Sequence, residues 1–380
     1  MRLRSKLPEG GISIFSRMSA LAAKHNAINL GQGFPDFDCD PVLRSRISHH
    51  LNNQKNQYCP MAGLFELREA LSKKINKLYD HCVDPQTEIT ITAGATQAIF
   101  TAITALVHEG DEVIIIEPAY DCYKPTIELV KAKCIPYGLS GPDYKIDWDE
   151  LDSLVSSKTS MIIINTPHNP IGKTFAKTDM KALEAIINQR DIVVLSDEVY
   201  EHLIYDDIQH QSVLRYPNIY NQSISVFSFG KTFHATGWKI GYAVGSPKLM
   251  AEFRKVHQWN VYSANSFVQY GINDYLKDES KYLGLPTFFQ EKRDYLNKLL
   301  DKSKLKPVKS EGTYFQLFDY SEISDEDDIT FSLHLTSKYR VASIPLSPFK
   351  SKKTNDKMIR LCFAKKDKTL EQAAELLNKI

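Results

Sequence analysis

The sequence predicts an α/β protein with a mainly parallel central sheet, helices on both faces of that sheet, and a smaller α+β domain. Between about residues 88 and 245, short runs rich in Ile and Val alternate with segments of helical period, and Gly, Pro or Asp bounds the runs. The strand candidates are EITITAG, DEVIIIEP, SMIIINTP, DIVVLSDEVY and SISVFSFG. Because apolar and polar residues do not strictly alternate in them, these runs are typical of strands covered on both faces. Strands that alternate with helices in this way form parallel sheets with crossover helices.

Both ends of the chain show a different pattern. Residues 12–25 (ISIFSRMSALAAKH) predict an amphipathic helix, and the turn-rich segment LGQGFPDFD follows it. After about residue 280 come a helical stretch, the strand candidates GTYFQLFDY and MIRLCFAK, and a closing helix, LEQAAELLNKI. We expect the acidic run SDEDD at 324–328 to be a solvated loop or a helix start. These patterns predict a large domain at 44–278 and a small domain formed by 1–43 together with 279–380.

Composition and charge limit the classes of function. The 380 residues include 47 basic and 46 acidic side chains, which leaves a net charge of +1. This balance argues against wrapping nucleic acid, because counterion release needs a basic surplus. No apolar run approaches the length of about 18 residues that a membrane span needs, and the opening MRLRSKLPEGG lacks the apolar core of a secretory signal. The six cysteines have no zinc-type spacing. We therefore expect a cytoplasmic protein with no metal site, no membrane partner and no nucleic-acid partner.

Polar residues follow four of the predicted strands. In a doubly wound sheet ligands bind beyond the carboxyl ends of the strands, so these residues are candidates for a site. The first strand leads into GATQ at 94–97, which opens a helix whose free N–H groups suit a phosphate. The alternative is that Thr96 is only a helix N-cap. The candidates at and after the other strand ends are Asn169, Asp197, Tyr200, Ser228, Lys231 and Lys239.

Each of these residues taken alone has a simpler interpretation. Asp197 would be a helix cap, Lys231 a solvated surface cation, and Asn169 a turn residue that holds its own backbone. Together, however, the strand ends supply a phosphate site, a carboxylate, an amide, a phenol and a lysine. The GKT motifs at 172–174 and 230–232 lack the earlier glycine of a P-loop, and GQG at 31–33 lacks the third glycine of a dinucleotide fingerprint. We therefore expect neither ATP nor NAD.

Motifs along nearly the whole chain resemble one enzyme family. They are NLGQGFPDF, NQYCPMAG, AGATQA, EPAYDCY, NTPHNP, SDEVY, SFGKTFHATGWKIGY and IRLCFAKK. In this order they resemble the fold type I, class I/II aminotransferases that depend on pyridoxal 5′-phosphate. The chain is most similar to the branch of kynurenine/glutamine transaminases and methionine aminotransferases. The resemblance implies an α/β fold and a ping-pong transfer of an amino group to a 2-oxo acid.

The resemblance also implies roles around the cofactor ring. Lys231 would bind the cofactor covalently and then move a proton between the substrate Cα and the cofactor. Asp197 would lie against the ring nitrogen and keep it protonated. Asn169 and Tyr200 would hydrogen-bond the phenolic oxygen of the ring, and Tyr120 would stack on the ring face.

The cofactor phosphate would be held at its other end. The resemblance assigns this role to the backbone of Ala95 and Thr96, the Ser228 hydroxyl and the Lys239 ammonium. Many relatives have an arginine where this chain has Lys239, and a lysine supplies a point charge in place of a planar fork. Tyr58 would reach the phosphate of a neighbouring subunit, which implies a homodimer with shared active sites.

Substrate recognition by resemblance falls to Arg360, whose guanidinium would bind the α-carboxylate through two parallel hydrogen bonds. The alternative is an exposed strand cation, because Arg360 faces away from Ile359 and Leu361 on the predicted strand. At Gly33 the bare backbone would let the carboxylate approach.

Aromatic residues predict the side-chain preference. Phe15, Tyr58, Tyr120 and Phe349 would line an apolar pocket, so we expect methionine and aromatic amino acids as donors. Some relatives have a tryptophan near the position of Phe15, and its absence makes a kynurenine-type preference less favoured. No residue separates transamination from the alternative reaction, a C–S β-lyase acting on cysteine conjugates.

Overall fold

The computed structural model describes residues 4–8, 10–352 and 354–380. Its helices are α1 (Ile14–Lys24), α2 (Pro41–Asn52), α3 (Phe65–Tyr79), α4 (Ala95–Leu106), α5 (Tyr123–Leu129), α6 (Trp148–Ser153), α7 (Lys177–Ile187), α8 (Pro217–Tyr220), α9 (Phe229–Thr232), α10 (Pro247–Asn260), α11 (Ser266–Leu276), α12 (Ser280–Leu283), α13 (Leu285–Leu299), α14 (Asp328–Lys338) and α15 (Asp367–Leu377). Its strands are β1 (Ile28–Asn29), β2 (Ile89–Thr92), β3 (Glu112–Glu117), β4 (Lys133–Gly138), β5 (Thr159–Asn165), β6 (Val193–Asp197), β7 (Ser223–Ser228), β8 (Gly241–Gly245), β9 (Lys306–Pro307), β10 (Phe315–Asp319), β11 (Val341–Ala342), β12 (Ile344–Pro345) and β13 (Met358–Cys362).

The central sheet has seven strands in the order β2-β8-β7-β6-β5-β3-β4. Neighbouring strands pair in parallel except at β8, which runs antiparallel to both β2 and β7. The prediction of a mainly parallel sheet is confirmed. Strands β4 and β8 were not predicted, because KCIPYG and GYAVG lack the Ile and Val runs that mark the other strands.

Successive residues of the central strands point to opposite faces of the sheet, and helices cover both faces. On β5, Ile162 and Ile164 belong to the same apolar cluster as Met180 and Leu183 of α7. Their neighbour Ile163 belongs to a second cluster, which includes residues of α4 and α5. This two-sided burial is why the strands contain continuous apolar runs.

The C-terminal part of the chain forms a second sheet, with the order β12-β13-β10-β9 and antiparallel pairing throughout. The N-terminal segment joins this part of the chain, because β1 pairs in parallel with β11, Ile28 opposite Val341. The domain boundaries stay a prediction. The boundary at 43/44 falls inside α2, whereas residue 278 lies between α11 and α12.

The acidic run at 324–328 differs in part from expectation. Asp327 is the N-cap of α14 and accepts the N–H of Thr330 (2.9 Å), as a helix start predicts. Asp328 is not solvated: it is 2% exposed and accepts the backbone N–H groups of Leu346 and Ser347 (2.7 and 2.6 Å). None of the described helices combines the length and the apolar composition that crossing a bilayer requires.

Candidate active site

The carboxyl ends of β5, β6 and β7 lie side by side and carry polar residues. Asn165 is in register with Asp197, and Asp197 with Val226, two residues before the end of β7 at Ser228. Lys231 follows on the short helix α9, and its backbone N–H donates to the Ser228 hydroxyl at the N-cap. Because parallel strands bring their carboxyl ends to one edge of a sheet, residues that are far apart in sequence meet here.

A cavity of about 200 Å³ opens at this edge. The predicted site residues that line it are Phe15, Gly33, Ala95, Thr96, Tyr120, Asn169, Asp197, Tyr200, Ser228, Lys231, Lys239 and Arg360. Two aromatic residues that were expected to line this pocket do not. Tyr58 lies outside the pocket of its own chain and is 82% exposed, with its ring edge-on to Tyr262 at 5.5 Å. Phe349 packs beside the Phe15 ring at 5.4 Å and supports it, so its assignment to the lining was wrong.

The Lys231 side chain is a partly buried amine, not a surface cation. Its Nζ donates to the phenol oxygen of Tyr314 at 2.9 Å and to the carbonyl oxygen of Gly33 at 3.3 Å. Burial lowers the pKa of Lys231 to about 8, and the cations of Arg360 and Lys239 act in the same direction. A substantial fraction of the amine is therefore neutral near physiological pH, as a nucleophile or a base requires.

Asp197 is a buried carboxyl, 4% exposed, and it caps no helix. Its Oδ2 accepts the hydroxyl of Tyr123 at 2.6 Å, whereas the one partner of Oδ1 among the described residues is the more distant N–H of Val199, at 3.3 Å. Burial raises the pKa of Asp197 to about 6, while the Tyr123 hydrogen bond opposes the rise. A carboxyl held in this way gains most from a cationic N–H placed against Oδ1.

One end of the cavity suits an anion. Helix α4 begins there, with Gly94 at the N-cap and a φ of 82°. Thr96 is the second residue of the helix, so its interpretation as the N-cap was wrong. The Lys239 side chain crosses this helix start, since its Cε lies 3.6 Å from where a Cβ on Gly94 would be. The N–H groups of Ala95 and Thr96, the positive end of the helix dipole and the lysine together fit a phosphate.

The other end holds Arg360, which is 1% exposed, so the alternative of an exposed strand cation was wrong. Its Nη1 donates to Asn169 Oδ1 at 2.8 Å, and its Nη2 donates to the Gly31 carbonyl at 2.9 Å. Its Cζ lies 3.8 Å from the centre of the Phe315 ring. Its Nε is buried and has no hydrogen-bond partner among the described residues. A guanidinium fixed in this way with donors to spare fits a carboxylate.

Three aromatic residues that contact the predicted site residues Asp197, Lys231 and Arg360 were missed. Tyr123 lies in EPAYDCY, three residues after Tyr120, where the tyrosine spacing was an available signal. Tyr314 and Phe315 lie in the strand candidate GTYFQLFDY, where adjacent aromatic residues look like core and give no signal for a site. Tyr314 lies directly before β10 and Phe315 is its first residue, and only the tertiary structure brings Tyr314 to Lys231 and Phe315 to Arg360.

The cavity combines a lysine of lowered pKa, a buried acid, a phosphate site at one end and a buried arginine at the other. This combination defines a class of enzyme. Such a cavity suits an enzyme of amino acids that carries a phosphorylated aldehyde cofactor on a lysine. The anion site, the unpartnered Nε of Arg360 and the open side of Asp197 all fit pyridoxal 5′-phosphate together with an amino acid.

Comparisons with known proteins agree with this class. The family "aminotransferase class I and II" matches residues 25–377. Methionine aminotransferase of Escherichia coli (strain K12) is 47% identical over 378 residues, which cover 99% of this chain and 98% of that protein. Human kynurenine–oxoglutarate transaminase 3 is 34% identical, covering 96% and 87% of the two chains. The crystal structure of YbdL from Escherichia coli, described as having a methionine aminotransferase function, matches with a TM-score of 0.98 and 46% identity over the full length of both chains. The chain therefore belongs to the aminotransferase class I and II family.

Members of this family depend on pyridoxal phosphate, and this protein is a pyridoxal-phosphate-dependent aminotransferase. Its substrates are an amino acid and a 2-oxo acid. The N-succinyldiaminopimelate aminotransferase from Mycobacterium tuberculosis has the same fold, with a TM-score of 0.96 and 34% identity over the whole of both chains.

Proposed function

We propose that this aminotransferase takes the α-amino group of a methionine-like or aromatic amino acid and passes it to a 2-oxo acid by a ping-pong mechanism. The observation that carries the proposal is a lysine amine of lowered pKa in the same cavity as a buried arginine with free donors. The names of the two relatives, a methionine aminotransferase and a kynurenine–oxoglutarate transaminase, support the choice of donors.

The cofactor would lie between the two ends of the cavity. When bound, it withdraws electron density from the substrate Cα. In this proposal Asp197 holds the proton on the ring nitrogen, Asn169 and Tyr200 face the ring oxygen, and Tyr120 covers one face. The phosphate is held by four groups, which are the N–H groups of Ala95 and Thr96, the hydroxyl of Ser228 and the ammonium of Lys239.

Lys231 would act as the attachment point for the cofactor and as the base. Once free of the cofactor, its neutral amine would take the proton from the substrate Cα and deliver it to the cofactor. The pKa of about 8 suits this work, because the amine exchanges a proton readily at the pH of a cell.

The lining of the cavity favours apolar donors. Phe15 and Phe315 flank the guanidinium of Arg360, with ring centres 5.2 and 3.8 Å from its Cζ, and Tyr120 adds a further aromatic wall. Among the residues that the structure describes, no second arginine lines the cavity. Arg360 therefore binds the α-carboxylate in this proposal, and a side-chain carboxylate finds no matching cation.

The protein would work as a homodimer in the cytoplasm. Tyr58 and Tyr262 form an exposed aromatic pair, and Trp259 nearby in sequence is 84% exposed. Exposed aromatic residues of this kind mark protein contact surfaces. We also propose that the described residues of 4–40 and 279–380 form the small domain, with the first boundary moved to the start of α2 at Pro41.

Borohydride reduction tests the attachment point. The purified enzyme is reduced, digested and analysed by mass spectrometry, and we expect the cofactor mass on Lys231. The matched control is Lys173, the lysine of the other GKT motif. Its Nζ lies 3.5 Å from Oε1 of Glu311. Lys231→Ala should lose the label and turnover, whereas Lys173→Ala should keep both. A label on another lysine, or none, would contradict the proposal.

A product assay tests the reaction. With methionine and a 2-oxo acid, we expect 4-methylthio-2-oxobutanoate to accumulate. Leucine and aspartate serve as comparison donors, and aspartate should be the poorest of the three. Release of pyruvate and ammonia from a cysteine S-conjugate without any acceptor, at a rate above transamination, would instead support the β-lyase.

A further inference from the structure

The Lys231 amine has two partners that come from distant parts of the chain. The phenol oxygen of Tyr314 lies 2.9 Å from Nζ, and the carbonyl oxygen of Gly33 lies 3.3 Å from it. Tyr314 Oη also donates a hydrogen bond to the same Gly33 carbonyl. The three groups therefore form a closed triangle, and Tyr314 within it is 0% exposed.

The direction of each hydrogen bond in this triangle follows from the chemistry of the groups. A carbonyl oxygen can only accept, so the hydroxyl proton of Tyr314 points to Gly33. The phenol oxygen then presents its lone pairs to Lys231 and accepts an amine N–H. Both contacts of Lys231 use its N–H groups, which leaves the nitrogen lone pair free to take a proton.

Charged and titratable groups around the amine agree with this arrangement. Burial raises the pKa of Tyr314 well above its usual value, so the phenol stays neutral and does not hold Lys231 as an ammonium by ion pairing. The pKa of Lys231 is lowered by the nearby cations Arg360 and Lys239. It is raised by Cys362 and Asp197.

The start of β10 places Tyr314 against the N-terminal segment. The next residue, Phe315, stacks on Arg360 and also touches Gly33, where an added Cβ would lie 2.7 Å from the Phe315 ring. Two adjacent aromatic residues thus contact Gly33: Tyr314 at its carbonyl oxygen and Phe315 at its Cα. The lysine end and the carboxylate end of the site share this backbone contact.

The geometry points to Tyr314 as a positioning residue for Lys231, which holds the free amine against the Gly33 carbonyl with its lone pair exposed to the cavity. This inference rests on the proposed function, because it takes Lys231 as the base. Tyr314 acts through Lys231. It would matter most in those steps of the cycle in which the lysine is not bonded to the cofactor.

The test uses the full chain loaded with pyridoxamine 5′-phosphate, the amine form of the cofactor, which leaves the lysine free. Lys231 is acetylated competitively with acetic anhydride between pH 6 and 10, and mass spectrometry measures its labelling midpoint. In Tyr314→Phe the amine loses an acceptor that favours its charged form, so we expect the midpoint to fall by about 0.5–1 pH unit. We also expect kcat for methionine to fall about tenfold or more with KM within about twofold, since proton transfer slows and carboxylate binding is kept.

Tyr320→Phe is the matched control, because Tyr320 is also 0% exposed and also donates to a backbone carbonyl, that of Glu326 at 3.0 Å. It should leave both the midpoint and kcat unchanged. If Tyr314→Phe does not fold, 4-aminophenylalanine at position 314 fills the same space, still donates to Gly33 and accepts poorly, and it should lower the midpoint as well.

A Lys231 midpoint in the position 314 variants equal to that of the wild type would overturn the inference, whatever happens to activity. Borohydride trapping on the same variants separates this failure from failure of the proposed function. If the label lies on Lys231 and only the midpoint is unmoved, the role of Tyr314 alone is wrong. If the label lies elsewhere, the proposed function is wrong as well.

Discussion

The Asp197 carboxyl lies in the protein interior, where its charged form is costly until a cation joins it. Its pKa of about 6 lies above the ordinary 3.8, chiefly because of burial. Between these pH values the folded chain binds more protons than the unfolded chain, so the free energy of unfolding falls as pH rises from about 4 to about 6. Above about pH 6 the carboxyl is charged in the folded chain, and its burial lowers the free energy of unfolding by the full amount.

Asp197→Asn should therefore stabilise the cofactor-free protein. The two pKa values differ by about 2, which corresponds to roughly 3 kcal/mol of unfolding free energy at pH 8 and almost none at pH 4. Urea unfolding at the two pH values measures this difference. With cofactor bound, the same variant should lose about 100-fold or more in kcat, because the ring nitrogen loses its charged partner. Equal stability of variant and wild type at pH 8 would mean that the carboxyl is not destabilised by burial.

Arg360 is the second residue whose burial makes sense only with a ligand of opposite charge. Arg360→Ala should lower kcat/KM for methionine about 100-fold, chiefly through KM, because a buried charged hydrogen-bond pair is lost. Steady-state kinetics measures the change. The control is Arg44→Ala, since the Arg44 side chain is 51% exposed and should contribute little. Unchanged KM in Arg360→Ala would place carboxylate recognition elsewhere.

Helix α14 shows how two adjacent acidic residues differ at the scale of an element. Asp327 is exposed and caps the helix, whereas Asp328 is buried and binds the turn that follows β12. The Asp328 carboxylate accepts two backbone N–H groups and the hydroxyl of Ser347 (2.6 Å). That turn continues into Phe349, which supports Phe15 of the pocket.

Asp328→Ala should destabilise the protein more than Asp327→Ala does. We expect roughly 3 kcal/mol for the first variant, because buried donors lose their acceptor, and about 1 kcal/mol for the loss of the cap. Urea unfolding of both variants under identical conditions checks the order. Equal losses would show that the buried carboxylate contributes no more than an ordinary cap.

The elements also show which parts of the site the sequence could predict. Asn169, Asp197, Ser228 and Lys231 follow strands whose Ile and Val runs are easy to recognise, and the carboxyl ends of such strands meet at one edge. Tyr314 gave no such signal, because it lies directly before β10 of the other sheet, and its contact with Lys231 joins segments that are far apart in the chain.

At the scale of the whole molecule, Tyr58 is the residue whose role differs between a single chain and the proposed dimer. Its side chain is 82% exposed and lies outside the cavity of its own chain. In the proposed homodimer it contributes to the cavity of the partner, so each site needs two chains.

Mixing two variants, each lacking one proposed contact with the cofactor, tests this sharing. Tyr58→Ala and Lys231→Ala subunits, unfolded together and refolded at equal amounts, should form mixed dimers that each contain one intact site. About a quarter of all sites would then be intact, and at a cofactor concentration too low to load the Tyr58→Ala homodimer the label after borohydride treatment should recover to that level. Separately refolded variants, mixed afterwards without exchange, are the control. No recovery above this control, with a dimer confirmed by ultracentrifugation, would show that Tyr58 does not serve the partner's site.

The sequence by itself determined the mainly parallel sheet, the positions of its principal strands along the chain, and the lysine, acid, amide and anion-binding turn at their ends. These features are local: periodicity sets each strand, and strand direction sets which ends meet. Only the tertiary structure decided that Arg360 is buried, that β8 runs antiparallel, and that Tyr314 and Phe315 close on Gly33. Those features depend on contacts between segments far apart in the chain. The residue pattern within one segment does not predict which distant segments it will contact.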